Sequence, residues 1–321
     1  MNAKNIISAI LMVLSFAACS SDIESLDDNM TNNNTNNGET SISVRMVTEG
    51  VSTKAGTTID LTTEEAAIKN YVIAVFEEKS GERVGYASGT ANGSYLVTPI
   101  VKGIDAKAGI VKVIVVANID DINDFNNLYT YEEFSTKTVG HLNNWTKVGI
   151  EDNVTLSKTD NELNIELKQL TARVNVTLNE PTVTGGNNVT VTFRAYHYTA
   201  SIAESSKIVY VPQTADTRDI LLDTNGETSF SYITYSVASP KLEVYAKLEI
   251  IADGIVKNTI EKEIPVSFIS KDNGKLDALI AGKSYDQQVY ANVTISQNFD
   301  VDFSYEIADI TDNENQDITF N

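Results

Sequence analysis

The side chains that most often do chemistry are scarce in this chain. It contains two histidines, His141 and His197, and a single cysteine, Cys19. The histidines fall in segments that we predict below to belong to different domains, so we expect no histidine-based metal centre. His197 alternates with Phe193 and Ala195 along a predicted β-strand, which is typical of a partly buried structural histidine rather than a catalytic base. The sequence therefore predicts neither a metal nor a cofactor.

Two short polar motifs could bind ions, but neither fits its chemistry well. The sequence GGNN at residues 185–188 precedes a predicted strand rather than a helix, so it predicts a hairpin turn and not a phosphate-binding loop. TDNENQD at residues 311–317 spaces its acids loosely like a calcium loop but lacks the glycine and the final glutamate. Any two carboxylates could meet in a fold, so a glycosidase pair stays open, yet no pattern points to one. We expect that the protein is not an enzyme.

Cys19 stands directly behind an apolar run that covers residues 6–18. Such a run after a basic amino terminus is typical of a secretory signal. As a helix it reaches only ~20 Å, against ~30 Å for a bilayer core, which argues against a permanent anchor. Ala17-Ala18-Cys19 resembles the bacterial lipobox, with Phe16 where the motif usually has leucine. The resemblance implies cleavage before Cys19 and acylation of its sulfur; the alternative is cleavage after Ala17 without lipid.

The charge of the chain excludes some partners. There are 24 basic and 44 acidic side chains, so the formal charge is 24 − 44 = −20. Such a surface repels nucleic-acid phosphates and anionic lipid headgroups, and we expect neither as a partner. One cysteine allows no internal disulfide, so stability must come from buried apolar surface.

The composition divides the chain into a signal, a leash and an all-β body. We predict that residues 1–18 form the signal peptide and that the asparagine-rich residues 19–39 form a disordered linker, called the leash below. From Thr40 onward short runs of Val, Ile, Thr and Tyr alternate with polar residues, which predicts β-strands. The clearest predicted strands are residues 71–78, 111–118, 172–178, 189–198 and 241–251, and one helix is predicted at 121–134. Because roughly 280 residues exceed one ordinary sandwich, we predict domains at 40–167 and 168–321.

The order of these segments resembles the fimbrillin, or type V pilin, family of Gram-negative anaerobes. The resemblance spans nearly the whole chain, from the lipobox and leash through AAIKNYVIAVFEEKSGE, VKVIVVAN and LKQLTARVNVTL to LIAGKSYDQQVYANVTI. It implies two tandem transthyretin-like β-sandwich domains and export as a lipoprotein. It also implies that an arginine- or lysine-specific protease removes the first strand. A strand from the next subunit then fills the groove.

The basic residues near the first predicted strand locate the processing site that the resemblance implies. Lys54-Ala55 falls at the family's processing loop, so residues 41–47 would be the strand released. The best-known members have arginine where this chain has Lys54. Arg45 is the alternative basic site, but it lies inside the predicted strand, where a protease cannot readily bind the backbone.

The carboxyl end carries two apolar alternations that could form a donor strand. Residues 299–307 alternate apolar and polar side chains, and a shorter alternation follows near the last residue. These residues are equally able to complete the core of their own domain, and both interpretations stay open. The donor candidates are Phe299, Val301, Phe303, Tyr305, Ile307, Ile318 and Phe320.

Two functions account for these features. The first is a structural subunit of a surface fimbria that is lipid-anchored in the outer membrane, matured by a trypsin-like protease and polymerised for adhesion. Its partners would be other copies or related pilin subunits. The second is a monomeric surface lipoprotein that binds a glycan or host ligand. A cleavable basic loop after a separable first strand is needed only by the first.

Overall fold

The computed structural model describes residues 40–48, 63–91, 99–142, 145–186, 188–209, 217–268 and 276–308. The chain is almost entirely β-structure there, which confirms the all-β prediction. The predicted signal, leash and processing site, including Cys19, Lys54 and Ala55, lie outside these residues. So do the terminal donor candidates Ile318 and Phe320.

The first half of the chain forms one seven-stranded sheet that folds over on itself. Its strands run in the order β3-β2-β5-β7-β8-β1-β4. Strand pairing between β7 and β8 is limited to residues 147–148 and 168–169, so the sheet bends there. One side chain layer from β2 and β5 then packs against a layer from β1, β4 and β8. The elements are β1 (Thr40–Thr48), α1 (Thr63–Ala66), β2 (Asn70–Glu77), β3 (Arg83–Thr90), β4 (Ile100–Ala106), β5 (Gly109–Ala117), a 3₁₀ helix (Ile122–Phe125), α2 (Tyr131–Thr136), β6 (Thr138–Val139), β7 (Lys147–Leu156) and β8 (Asn161–Gln169).

The strands β2 and β5 are buried on both faces, which explains their nearly continuous apolar sequences. Ile73 and Val75 face the core between the two layers, whereas Ala74 and Phe76 face a second core on the other side. Continuous apolar runs are expected of strands that are covered on both faces. Side chains of β2 and β5 therefore contribute to two separate cores, one on each face of the sheet.

The single helix predicted at residues 121–134 is wrong, because the structure has two short helices there. Thr130 interrupts the segment with an extended backbone and caps α2, together with Glu133, in a capping box. The backbone beside it is hydrogen-bonded to the start of β3 and to the turn before it: the Arg83 amide donates to Tyr129 O, and the Tyr131 amide donates to Gly81 O. These tertiary hydrogen bonds hold the segment in an extended conformation that local propensity does not reveal.

The second half of the chain forms a sandwich of two sheets. One sheet has the strand order β14-β9-β19-β20. Its strand β10 pairs with the end of β19, on the same side of β19 as β9. The other sheet has the strand order β13-β11-β16-β17. Their facing side chains form one apolar core. The strands are β9 (Thr171–Leu178), β10 (Thr182–Gly185), β11 (Val189–Ala203), β12 (Ser206–Lys207), β13 (Thr217–Glu227), β14 (Ser229–Tyr235), β15 (Val237–Ala238), β16 (Leu242–Ala252), β17 (Ile255–Pro265), β18 (Ala278–Leu279), β19 (Ser284–Ile295) and β20 (Val301–Ala308).

A third apolar core joins the two halves. It combines side chains of β2 and β5 with Phe125, Phe134, Ala203, Ile208 and Tyr235. The short strands β6 and β12 pair across the same junction, and Tyr235 Oη donates to Gly140 O over 2.9 Å. Side chains therefore fix how the halves meet. The boundary at residue 167 stays a prediction.

Candidate functional site

The first strand, β1, lies inside its sheet and not at an edge. It pairs in parallel with β8, from Ile42 opposite Asn161 to Thr48 opposite Leu167, and antiparallel with β4 on its other side. Its side chains alternate strictly between buried and half-buried positions along the whole strand. The predicted strand at residues 41–47 is thus present, with one more residue at each end.

A cluster of polar groups holds the beginning of β1. Thr40 Oγ1 lies 2.6 Å from Ser157 O and 3.0 Å from Thr159 O, within donating distance of both carbonyls. Asn161 Nδ2 donates to Thr40 Oγ1 over 3.1 Å and to Ser41 O over 3.0 Å. These hydrogen bonds attach the beginning of β1 to the turn that leads into β8.

The other end of β1 lies beside α1. Thr48 Oγ1 donates to Ala66 O over 3.0 Å, and both residues are buried. Neighbouring Glu65 in α1 forms an ion pair with Arg173 in β9, and Glu65 is only 1% exposed. The α1 segment is thereby tied both to the end of the first strand and to the second half of the chain.

Arg45, the alternative processing residue, lies in the middle of β1. Its Cα is opposite Ile100 of β4 and Asn164 of β8, so strands flank it on both sides. A protease binds its substrate backbone in an extended, accessible form, and here that backbone is already part of two ladders.

Among the described residues, the donor candidates Val301 to Ile307 lie in an edge strand of their own sheet, whereas Phe299 lies in the turn before it. Strand β20 pairs antiparallel with β19, from Val301 opposite Ile295 to Ala308 opposite Gln288. Its inward side chains contact the core of the second half, and the Phe303 and Phe193 rings lie 6.1 Å apart. This face is partly covered, since Tyr305 is 38% exposed. Within this chain β20 completes its own sandwich, and its donor role stays a prediction.

The two histidines have different neighbours in the structure. His141 Nε2 lies 3.4 Å from Asp120 Oδ2 near the junction of the halves, whereas the His197 ring stacks on Tyr245 with centroids 4.4 Å apart. The partly buried histidine predicted at residue 197 is present. Among the described residues, no group of three or more His, Cys, Asp or Glu side chains could hold a metal ion.

A search of the described residues finds no helix with the length and apolarity needed to cross a bilayer.

A buried lysine is one polar feature that sequence reasoning missed. Lys147 begins β7 and is fully buried, and its Nζ donates to Ala67 O over 3.3 Å and to Trp145 O over 3.1 Å. Asn118 Nδ2 donates to the same two carbonyls. Burial lowers the pKa of Lys147 to about 7, with a smaller contribution from Lys69. Nothing in the local sequence distinguishes this lysine from an exposed one.

Lys147 should make stability depend on pH. Its pKa is near 10.5 in the unfolded chain and about 7 in the folded one, so between these values the unfolded state binds more protons. The free energy of unfolding should therefore rise with pH from 7 to 9.5, by at most about 1.4 kcal/mol per unit. Lys147→Met should flatten that slope. Urea unfolding of both proteins across this range measures it; equal slopes would contradict the assignment.

Among the described residues, two of the clefts are lined mainly by strands of the second half. The larger, about 660 Å³, lies between residues 140–142 and the strands β11, β13 and β14. The rings of Tyr198 and Tyr232 line it, and burial raises the pKa of both tyrosines. The smaller, about 320 Å³, lies beside the start of β16 and the end of β17. Neither cleft involves the first strand or the donor candidates.

Comparison with known proteins gives a consistent result. A family model described as major fimbrial subunit protein (FimA) matches residues 40–235. No curated protein matches the sequence significantly.

Solved structures share the fold. A candidate cell adhesion protein from Parabacteroides distasonis is 18% identical with a TM-score of 0.59, covering 84% of this chain and 97% of that one. The tip fimbrial protein Mfa3 from Porphyromonas gingivalis is 9% identical with a TM-score of 0.54, covering 84% and 99%. A fimbrilin (FimA) from Porphyromonas gingivalis is 12% identical with a TM-score of 0.52, covering 84% and 97%.

Proposed function

The chain belongs to the FimA major fimbrial subunit family, and we propose that it polymerises into a surface fimbria by exchanging its first strand. Membership makes it a structural subunit of a cell-surface fimbrium, whose partners are other pilin subunits. The proposal adds the sequence of events: export as a lipoprotein, proteolytic release of β1, and replacement of β1 by a strand from another subunit. Adhesion is the function proposed for the assembled fimbria.

The observation that carries this proposal is the position of β1 between two other strands. The ladders with β8 and β4 would both lose a partner if β1 left, and three fully buried side chains would leave the core: Ile42, Val44 and Met46. The slot left behind would expose apolar surface and unpaired backbone groups, a combination that favours binding of another extended strand. While β1 occupies the slot, premature assembly is blocked.

The contacts of β1 and α1, the elements on either side of Lys54, support processing at this residue. Strand β1 ends at Thr48, α1 begins at Thr63, and Thr48 Oγ1 donates a hydrogen bond to Ala66 O. A cut after Lys54 would separate β1 from α1 while Glu65 and Arg173 keep α1 attached to the body. A cut at Arg45 would first require both ladders to open.

Limited proteolysis tests the processing step. Trypsin added to the folded precursor should cut first after Lys54, so amino-terminal sequencing of the large fragment should read Ala-Gly-Thr-Thr. Residues 40–48 should then dissociate only under mild denaturant, because both ladders hold them. A first cut elsewhere, with Lys54 protected, would contradict the proposal and favour a monomeric binder that uses the 660 Å³ cleft.

Lipid attachment at Cys19 is the proposed route to the outer membrane. The support is the sequence alone: small residues precede the only cysteine at the end of a short apolar run. Two or more acyl chains give stable anchoring where one chain is marginal. Mass spectrometry of the membrane-bound precursor should find acylated Cys19 at the amino terminus, and Cys19→Ala should abolish that species. An unmodified terminus at Ala18 would contradict it.

A further inference from the structure

We propose that the slot of β1 selects the incoming strand by a hydroxyl side chain at each end, in addition to three apolar side chains between them. This inference rests on the proposed strand exchange and names its partner. The partner is a strand of a related subunit whose inward-facing residues, at alternate positions, are hydroxyl, apolar, apolar, apolar and hydroxyl.

The five inward-facing residues of β1 define this pattern. All five are shielded from solvent: Thr40 is 7% exposed, Thr48 is 1% exposed, and the three apolar residues between them are fully buried. The threonines are therefore not solvated ends of the strand. Each places a hydroxyl group inside the protein, where polar atoms need hydrogen-bond partners.

The slot supplies those partners at the first end. Thr40 Oγ1 lies within donating distance of the carbonyls of Ser157 and Thr159 and accepts from Asn161 Nδ2. An apolar side chain in this position would make none of these contacts. Asn161 Nδ2 also lies 3.2 Å from Ser157 O and 2.7 Å from Thr159 O, so the groups that contact Thr40 Oγ1 are held together around the position of its hydroxyl.

At the second end of the slot, a single buried hydrogen bond favours a hydroxyl side chain. Thr48 Oγ1 donates to Ala66 O over 3.0 Å in a buried environment. Valine has nearly the same shape as threonine, so it would fill the same space, but it could not donate to that carbonyl. Leaving a buried acceptor without its donor costs more than an ordinary hydrogen bond contributes.

The candidate donor segment of this same chain does not have the pattern. Aligned so that Val301, Phe303 and Tyr305 occupy the three apolar positions, it places Phe299 and Ile307 at the two hydroxyl positions. In addition, Val301–Ala308 already pairs with β19 in its own sheet. A related subunit with hydroxyl groups at both ends is therefore a better partner through this slot than the 299–307 segment of a second copy.

Peptide insertion into the full chain, cleaved at Lys54 and freed of its own first strand under mild denaturant, tests the inference. The probe is a fluorescent peptide of residues 40–48, and unlabelled peptides compete with it: the same sequence, Thr40→Ser/Thr48→Ser, Thr40→Val/Thr48→Val, Val44→Asp, and residues 299–307. The serine peptide should compete nearly as well as the parent sequence, since it keeps both hydroxyls. The valine peptide should be at least about tenfold weaker, because each end loses a buried hydrogen bond.

The outcomes distinguish a failure of hydroxyl selection from a failure of strand exchange. If the valine peptide competes as well as the parent, selection by hydroxyls is wrong while strand exchange stands. If the 299–307 peptide competes as well as the parent, the partner assignment is wrong. If the Val44→Asp peptide competes equally, or if no peptide inserts at all, strand exchange itself is overturned and the inference with it.

Discussion

A precursor that carries Lys54→Gln is expected to stay monomeric after trypsin treatment, under conditions in which the unmodified chain forms polymers. Without the cut, β1 remains covalently attached next to its slot, where its effective concentration is far above that of any strand from another subunit. Light scattering after size-exclusion chromatography measures the conversion, and electron microscopy shows whether the products are fibres. We expect the variant to lose essentially all assembly, because one bond controls access to the slot.

The control for this experiment is Arg45→Gln. Arg45 is half-buried within β1 and flanked on both sides by strands, so removing its charge should leave both cleavage and assembly unchanged. Assembly of the Lys54→Gln protein, or loss of assembly in the Arg45→Gln protein, would place the processing site at Arg45.

The same assay tests the donor candidates at the carboxyl end. A chain that lacks residues 309–321 should remain a cooperatively folded monomer that is cleaved but no longer elongates, because a donor strand contributes little to its own subunit. If the truncated protein aggregates or unfolds instead, Ile318 and Phe320 belong to the subunit's own core. Phe303→Ala should, by contrast, lower the stability of the monomer itself, since its ring packs near Phe193.

Arg173→Met is expected to lower the free energy of unfolding by roughly 3 kcal/mol, since it leaves the buried Glu65 carboxylate without the guanidinium beside it. The pair joins α1 to β9, so the variant should also loosen the attachment of α1 to the second half of the chain. Urea denaturation followed by tryptophan fluorescence and far-UV circular dichroism measures the change.

Two further variants make the Arg173 result interpretable. The double variant Glu65→Gln/Arg173→Met should recover most of the lost stability, because it removes the buried charge together with its neighbour. Arg218→Met is the matched control: Arg218 and Glu204 form an exposed ion pair, which should contribute well under about 1 kcal/mol. If both arginine variants are equally destabilised, loss of the side-chain stem rather than loss of the buried ion pair explains the effect.

Local patterns in the sequence predicted the elements better than their arrangement. The alternation of β1 and the apolar runs of β2 and β5 are visible without a structure, because burial on one face or on both leaves a direct trace in the order of residues. The fold class followed from such traces, and the family from a resemblance in the order of the segments. The parallel pairing of β1 with β8 did not, since these strands are more than a hundred residues apart and no local signal encodes their register.

The polar details of the site were the least predictable. Lys147 and Glu65 look like ordinary surface residues in the sequence, and only the folded chain shows that both are buried. The same holds for Thr40 and Thr48, which end an apolar alternation and would normally be assigned to solvent. Their partners are backbone carbonyls, and a carbonyl leaves no mark on the sequence because every residue has one.

The parallel ladder between β1 and β8 has a mechanical consequence. A strand that replaces β1 in the same register would have its hydrogen bonds to β8 lying across the strand axis. Tension applied along such a strand would load all the bonds of the ladder together. A strand peeled from an edge breaks its bonds one after another at a much lower force. Resistance to flow at the cell surface would then come from the backbone of the joint, which any sequence provides, while side chains decide only which strand enters.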